Sequence, residues 1–204
     1  MELRDDYYII ESLTDKDIKD GKIFLRCLKS IKGFEPKYFD ISNSEELATV
    51  LNEFSQSTYR YLFISTHGDF ENLVLKNEKV NTYDHFDIDI DLRKKRIFMS
   101  SCEGGSILFA KYFLSKKAYS VIGTPDKLNQ ITATAIWPTM VILFERLSNS
   151  NIRFKEIDKF LKLVVRVYRI PMHYYSFIRN KTEMKEYIYE FGQKRRRKDY
   201  ELKK

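Results

Sequence analysis

Cysteine is scarce in this chain. Only Cys27 and Cys102 occur among its 204 residues, so no disulfide framework is expected, and the usage suits a reducing cytoplasm. Histidine is nearly as rare, at three residues, and neither type recurs at ligand spacing, which argues against a zinc site. No cofactor is expected. No apolar run approaches the length of a membrane span, so no membrane association is expected. The stretch Met1-Glu2-Leu3-Arg4-Asp5-Asp6 is acidic where a secretory signal needs a basic region, so no signal peptide is expected. A glycine-rich phosphate loop and a Gly-x-Ser-x-Gly elbow are both missing, as are internal repeats and low-complexity linkers. These absences disfavour a nonpeptidase α/β hydrolase or a flavodoxin-like sensor. What remains is 43% apolar and 15% aromatic, a composition that builds a core.

Two stretches share one grammar. Ile97-Phe98-Met99-Ser100 is a short apolar run, and it leads through Ser101 to Cys102, Glu103, Gly104 and Gly105. Apolar runs of this length read as buried parallel strands. A helical pattern follows, with Ile107, Ala110, Phe113 and Leu114 on one face, so Cys102 is expected where a strand turns into a helix. A helix N-terminus there would favour the thiolate. Tyr61-Leu62-Phe63-Ile64-Ser65-Thr66 is a second such run, ending in His67-Gly68. Neighbouring parallel strands would deliver both residues to the carboxyl edge of the sheet, where open α/β sheets bind ligands. A thiol and an imidazole are the minimum for thiol nucleophilic catalysis.

These two motifs resemble the caspase-like cysteine peptidase clan. Within it the chain most resembles the bacterial CHAT branch (caspase, HetF-associated with TPRs), whose nucleophile turn commonly reads Ser-Ala-Cys-Glu-Thr-Gly. Val121-Ile122-Gly123-Thr124-Pro125-Asp126 resembles the strand and loop that follow in that branch, and residues 7–169 are covered in the expected order. The turn departs from the caspase Gln-Ala-Cys-Arg/Gln/Gly-Gly signature at its first two positions and at Glu103. His67 and Cys102 are 35 positions apart, against about 50 in caspases, so the intervening segment is compact.

The remaining chain reads as alternating strands and helices. Tyr7 to Ile10 is a strand. Thr14 or Asp15 is expected to cap a helix carrying Phe24, Cys27, Leu28 and Ile31 on its inner face, with Cys27 in the core. Pro36 to Ile41 is a strand, and Asn43 with Glu46 starts a helix bearing Leu47, Val50, Leu51 and Phe54. This β-α-β-α-β order predicts a parallel sheet. Leu73 to Leu75 fits a short hairpin strand. Tyr83 to Asp91 is an acidic loop, including His85, that lacks the glycine and glutamate of a calcium loop. Ala118 to Gly123 is the fifth strand, Ile131 to Leu147 a buried helix kinked at Pro138, and Arg153 to Tyr168 an amphipathic helix. Met184, Tyr187, Ile188 and Phe191 predict one more helix. Lys194 to Lys198 is a basic run read as a solvated tail whose removal costs no core; residues 190–204 carry +4 of the net +7 charge.

The expected fold is therefore α/β: a caspase-like three-layer α/β/α arrangement with a mostly parallel sheet, spanning residues 1–170, followed by a C-terminal helix and basic tail at 171–204. The resemblance implies a cytoplasmic cysteine endopeptidase acting on protein substrates. In it Cys102 is the nucleophile, His67 the general acid/base, and the N–H groups of Gly68 and Cys102 form the oxyanion hole. No third orienting residue is legible. In this clan the loops after the first and fifth strands read the substrate's P1 side chain. Here they carry Glu11, Asp15 and Asp126, which would favour Arg or Lys, with Asp126 leading. The branch also implies control by a separate regulatory protein or small-molecule trigger, as in bacterial defence or cell-death modules. The alternative is a non-catalytic interaction module, with the C-terminal segment binding a protein partner or nucleic acid.

Overall fold

The computed structural model of the protein describes residues 4–81, 88–147, 153–178, 183–193 and 195–201. The acidic stretch around His85 lies largely outside them. Ten strands and five helices are present among the described residues. The first half runs β1 (Arg4–Ser12), α1 (Asp20–Lys29), β2 (Lys37–Asp40), α2 (Ser44–Gln56) and β3 (Tyr59–Gly68). A small antiparallel flap, β4 (Asn72–Val74) and β5 (Lys79–Asn81), follows β3 where a hairpin strand is expected. The second half runs β6 (Arg96–Ser100), α3 (Ile107–Ser115), β7 (Ser120–Gly123), α4 (Gln130–Leu147) and α5 (Phe154–Tyr168). Strands β8 (Met172–Phe177), β9 (Glu183–Tyr189) and β10 (Arg196–Glu201) end the chain.

The main sheet has the order β10-β9-β8-β7-β6-β3-β1-β2. Strands β2, β1, β3, β6 and β7 are parallel, and β8, β9 and β10 extend the sheet antiparallel. The parallel strands read as unbroken apolar runs because both faces are covered. Their alternate residues divide between two cores. Tyr8, Ile10, Leu62, Ile64, Ile97 and Met99 meet α2 and α3 on one side. Tyr7, Ile9, Tyr61, Phe63 and Phe98 meet α1, α4 and α5 on the other. The arrangement is a mixed α/β architecture with a central sheet covered by helices on both faces.

Several expectations need correction. The C-terminal helix is absent: Met184, Tyr187 and Ile188 belong to β9, and residues 196–201 of the tail form β10, paired along β9. The helical spacing misled because Glu186, a buried acid, occupies the inward period-two position between Met184 and Ile188. Its burial is possible because His173, Tyr175 and Tyr200 bind its carboxylate, at 3.0, 2.7 and 2.7 Å. Helix α1 starts at Asp20, well past Thr14 and Asp15. Cys27 is half-buried, on the flank of α1 rather than in the core.

Lys95 and Arg96 are buried, although they look like the charged boundary of a strand. The Lys95 ammonium donates to the carbonyls of Phe54, Ser57 and Tyr59 at 2.6, 3.0 and 2.8 Å. It thereby satisfies the C-terminus of α2 and the entry to β3, where carbonyls lack partners and a cation is favoured. No helix among the described residues is long and apolar enough to cross a membrane.

Candidate active site

The register of the sheet sets the site. Ser65 of β3 pairs with Ser100 of β6, and the two strands are adjacent and parallel. His67 and Cys102 each lie two residues beyond that pair, so both emerge at the same edge. Gly68 then lets the two chains close: a Cβ there would sit 3.1 Å from the Cys102 carbonyl oxygen. Gly105 has a similar role against β7, since its Cβ would fall 2.5 Å from the Gly123 oxygen. Any larger residue would push the turn that carries Cys102 off the sheet.

The turn itself is fastened to the loop after β7. Glu103, which adopts a left-handed conformation with φ 55°, donates its N–H to the Asp126 carbonyl at 3.0 Å. Gly105 donates to Thr124 at 2.7 Å, and Gly104 to Ser101 at 3.2 Å. No carbonyl among the described residues takes the N–H of Cys102. Helix α3 begins five residues later, and Ser106 rather than Cys102 is its cap, accepting from the Phe109 N–H. The sulfur instead accepts a hydrogen bond from the Leu128 N–H at 3.4 Å.

Cys102 and His67 line one cleft of about 30 Å³, together with Asp20, Thr66, Ser101 and Gln130. The hydroxyls of Thr66 and Ser101 are buried there without a partner among the described residues. Asp20 forms the floor. It is the first residue of α1, and its carboxylate reaches under the cleft to accept from Ser65 and, at 2.5 Å, from Ser100. Trp137 of α4 completes the chain by donating to Ser100 at 2.8 Å. Burial raises the Asp20 pKa to about 6, against the two serine hydroxyls, which pull it down; the nearby Glu11 adds to the rise.

None of the three acids expected to read a substrate lines this cleft. Glu11 is fully buried within the fold, where it accepts from Gly21 at the N-terminus of α1 (2.7 Å) and from Tyr38 (2.6 Å). Asp15 is exposed, 3.7 Å from Lys19. Asp126 is exposed, and its contribution to the turn is its backbone carbonyl. The acid at the cleft is Asp20, to which the sequence alone assigns no role.

A second acid was also missed. Asp17 lies 3.0 Å from Nε2 of His67. Thr14 holds the same carboxylate through its N–H (2.8 Å) and hydroxyl (2.7 Å), and Gln130 donates to it at 3.1 Å. Burial opposes its ionisation, but these donors with His67 outweigh it and hold Asp17 well below the usual carboxylate range. The available signal was topological. Strands β1 and β3 pair in parallel up to Ser12 and Thr66, so the loop after β1 must border the end of β3. Among the described residues, no group of three His, Cys, Asp or Glu is placed to hold a metal ion. No protein-family model matches the chain, and no curated protein is significantly similar to it.

Proposed function

We propose that the protein is a cysteine endopeptidase in which Cys102 and His67 act as a dyad. The observation that carries this reading is their common position, two residues beyond a paired serine on adjacent parallel strands, in one cleft. The Cys102 thiolate attacks the carbonyl carbon of a peptide bond, and the electron pair moves onto the carbonyl oxygen. The N–H of Cys102, with that of Gly68 beside it, stabilises the charge developing there. His67, carrying the thiol's proton, gives it to the departing amine as the C–N bond breaks. Water then cleaves the thioester, with His67 taking its proton.

The resemblance to the caspase-like clan and its CHAT branch extends the reading to control by a separate partner or ligand. It also directs attention to the P1 side chain. Asp20 is the acid placed to meet an Arg or Lys at that position. Its pKa, raised to about 6, means the carboxylate is charged above that pH. A cleft of about 30 Å³ holds roughly one water, so a long basic side chain enters only if the cleft widens.

The test joins a covalent active-site probe to mapping of new protein N-termini. Wild type should be labelled at Cys102 and should generate new termini that the Cys102→Ala variant does not. Absence of labelling, or identical termini from both proteins, overturns the assignment.

A non-catalytic interaction module is the second reading. It is favoured by a larger groove of about 590 Å³ between α5 and the turn after β9, bordered by Lys162, Arg166, Arg195 and Glu190. Binding of an acidic partner or nucleic acid there would weaken steeply with salt.

A further inference from the structure

We propose that Asp17 is the positioning residue of the dyad, holding the His67 ring by Nε2 so that Nδ1 serves the thiol of Cys102. The inference rests on the reading of Cys102 and His67 as a catalytic pair. An ionised carboxylate only accepts hydrogen bonds, so the nitrogen 3.0 Å from Asp17 carries the ring proton. In the neutral imidazole Nδ1 is then the unprotonated nitrogen, free to take the proton of a thiol. When it does, the resulting imidazolium faces a fixed negative charge.

The carboxylate is built to stay where it is. The Thr14 N–H and hydroxyl both bind Oδ2, leaving Oδ1 for His67 and Gln130. The Thr14–Asp17 loop is further closed by the Asp17 N–H on the Thr14 carbonyl at 3.1 Å. Gln130 is tied in turn: its Oε1 accepts from the Ile18 N–H at 3.2 Å. Two residues before Gln130, the Leu128 N–H binds the sulfur. One short segment at the start of α4 therefore touches the nucleophile directly and the base through Asp17. The other titratable groups at the cleft are Asp20 beneath it and Cys102 itself.

Alkylation needs no knowledge of the substrate and reads the proposal directly. Iodoacetamide modification of Cys102 and Cys27 is followed by mass spectrometry across pH in wild type, Asp17→Asn, Asp17→Glu and His67→Ala. Removing an opposite charge next to an imidazole disfavours its protonated form by about tenfold or more. In Asp17→Asn the Cys102 rate at pH 6.5 should therefore fall about tenfold. At pH 9, where the thiolate forms without help, it should match wild type. Asp17→Glu should recover part of the loss. The rate at half-buried Cys27 is the internal control, since a loosened fold would raise it.

A wild-type Cys102 profile in Asp17→Asn, with Cys27 also unchanged, overturns the role of Asp17. If His67→Ala also leaves the profile unchanged, the dyad itself falls. A change in His67→Ala without one in Asp17→Asn removes Asp17 alone.

Discussion

At the scale of single residues, the molecule places the same chemical groups in opposite circumstances. Cys102 sits in a cleft with an imidazole and a backbone donor, whereas burial pushes the Cys27 thiol up with no group to offset it. Cys102→Ala and His67→Ala should each abolish proteolysis while leaving the unfolding transition in place. Proteolysis at wild-type rates by either soluble variant would sink the dyad. Lys95 gives a prediction about stability rather than activity. Lys95→Met preserves the stem that lies over Phe54, with the ammonium 4.2 Å from the ring centroid, but takes a donor from three carbonyls, of which that of Phe54 keeps the Ser57 N–H at 3.1 Å and hydroxyl at 2.7 Å. Orphaned buried acceptors cost about 1–3 kcal/mol each when no water replaces the donor. A loss of roughly 2–4 kcal/mol in urea unfolding is expected once partial rehydration is allowed for. A loss under about 0.5 kcal/mol, typical of a plain surface change, would show that water already serves those carbonyls.

Elements differ in how openly the sequence declares them. The parallel strands were legible because burial on both faces writes a short apolar run, and the helices between them because Leu47, Val50, Leu51 and Phe54 keep a helical period. The hairpin of β8 and β9 was not. Glu186 on its inner face breaks the apolar alternation, and the residues that make it acceptable, His173 and Tyr200, belong to other strands. The consequence is testable by truncation after Gln193. Losing β10 removes the Tyr200 bond to Glu186, the Arg195 pair with Asp158 at 2.7 Å, and the backbone ladder along β9. It also exposes β9 as a sheet edge, without the charged strand that now covers it. The truncated protein should unfold at lower urea and self-associate at high concentration. Equal midpoints for both proteins, with no association in sedimentation, would return this segment to the status of a solvated tail. The truncation also bears on the site at one remove. The Tyr175 hydroxyl, 2.7 Å from the Glu186 carboxylate and 2.9 Å from the Gly105 carbonyl, has one proton to give to either acceptor and so links β9 to the turn after Cys102.

For the molecule as a whole, the two catalytic candidates were legible and their supporting acids were not, for one physical reason. Cys102 and His67 each follow an apolar strand and precede a glycine, a local signal. Asp17 and Asp20 acquire their meaning only when β1, β3 and β6 are laid side by side. The same long-range assembly controls how stability responds to pH. Asp20 has a folded pKa of about 6, above the ordinary 3.8, because burial dominates its environment. Its contribution is therefore fully present below pH 3.8 and is lost as pH rises through 6, a change of about 3 kcal/mol. Glu186 behaves in the opposite sense. Burial opposes its charge, but hydrogen bonds from His173, Tyr200 and Tyr175 outweigh that and bring it to about 2, below the ordinary 4.5. Its stabilisation, also about 3 kcal/mol, is present above pH 4.5 and is lost as pH falls toward 2. Together the two acids should produce a stability maximum between about pH 4 and 5. Asp20→Asn no longer titrates and, having one acceptor oxygen where the two serines bind different carboxylate oxygens, still accepts from one of them. In that variant the rise in stability from pH 7 to pH 5 should flatten, while the fall below pH 4.5 persists. Urea unfolding at pH 7, 5, 4 and 3 measures both limbs. A variant that still gains stability between pH 7 and 5 as wild type does would mean that Asp20 is not the acid that takes up a proton over that range.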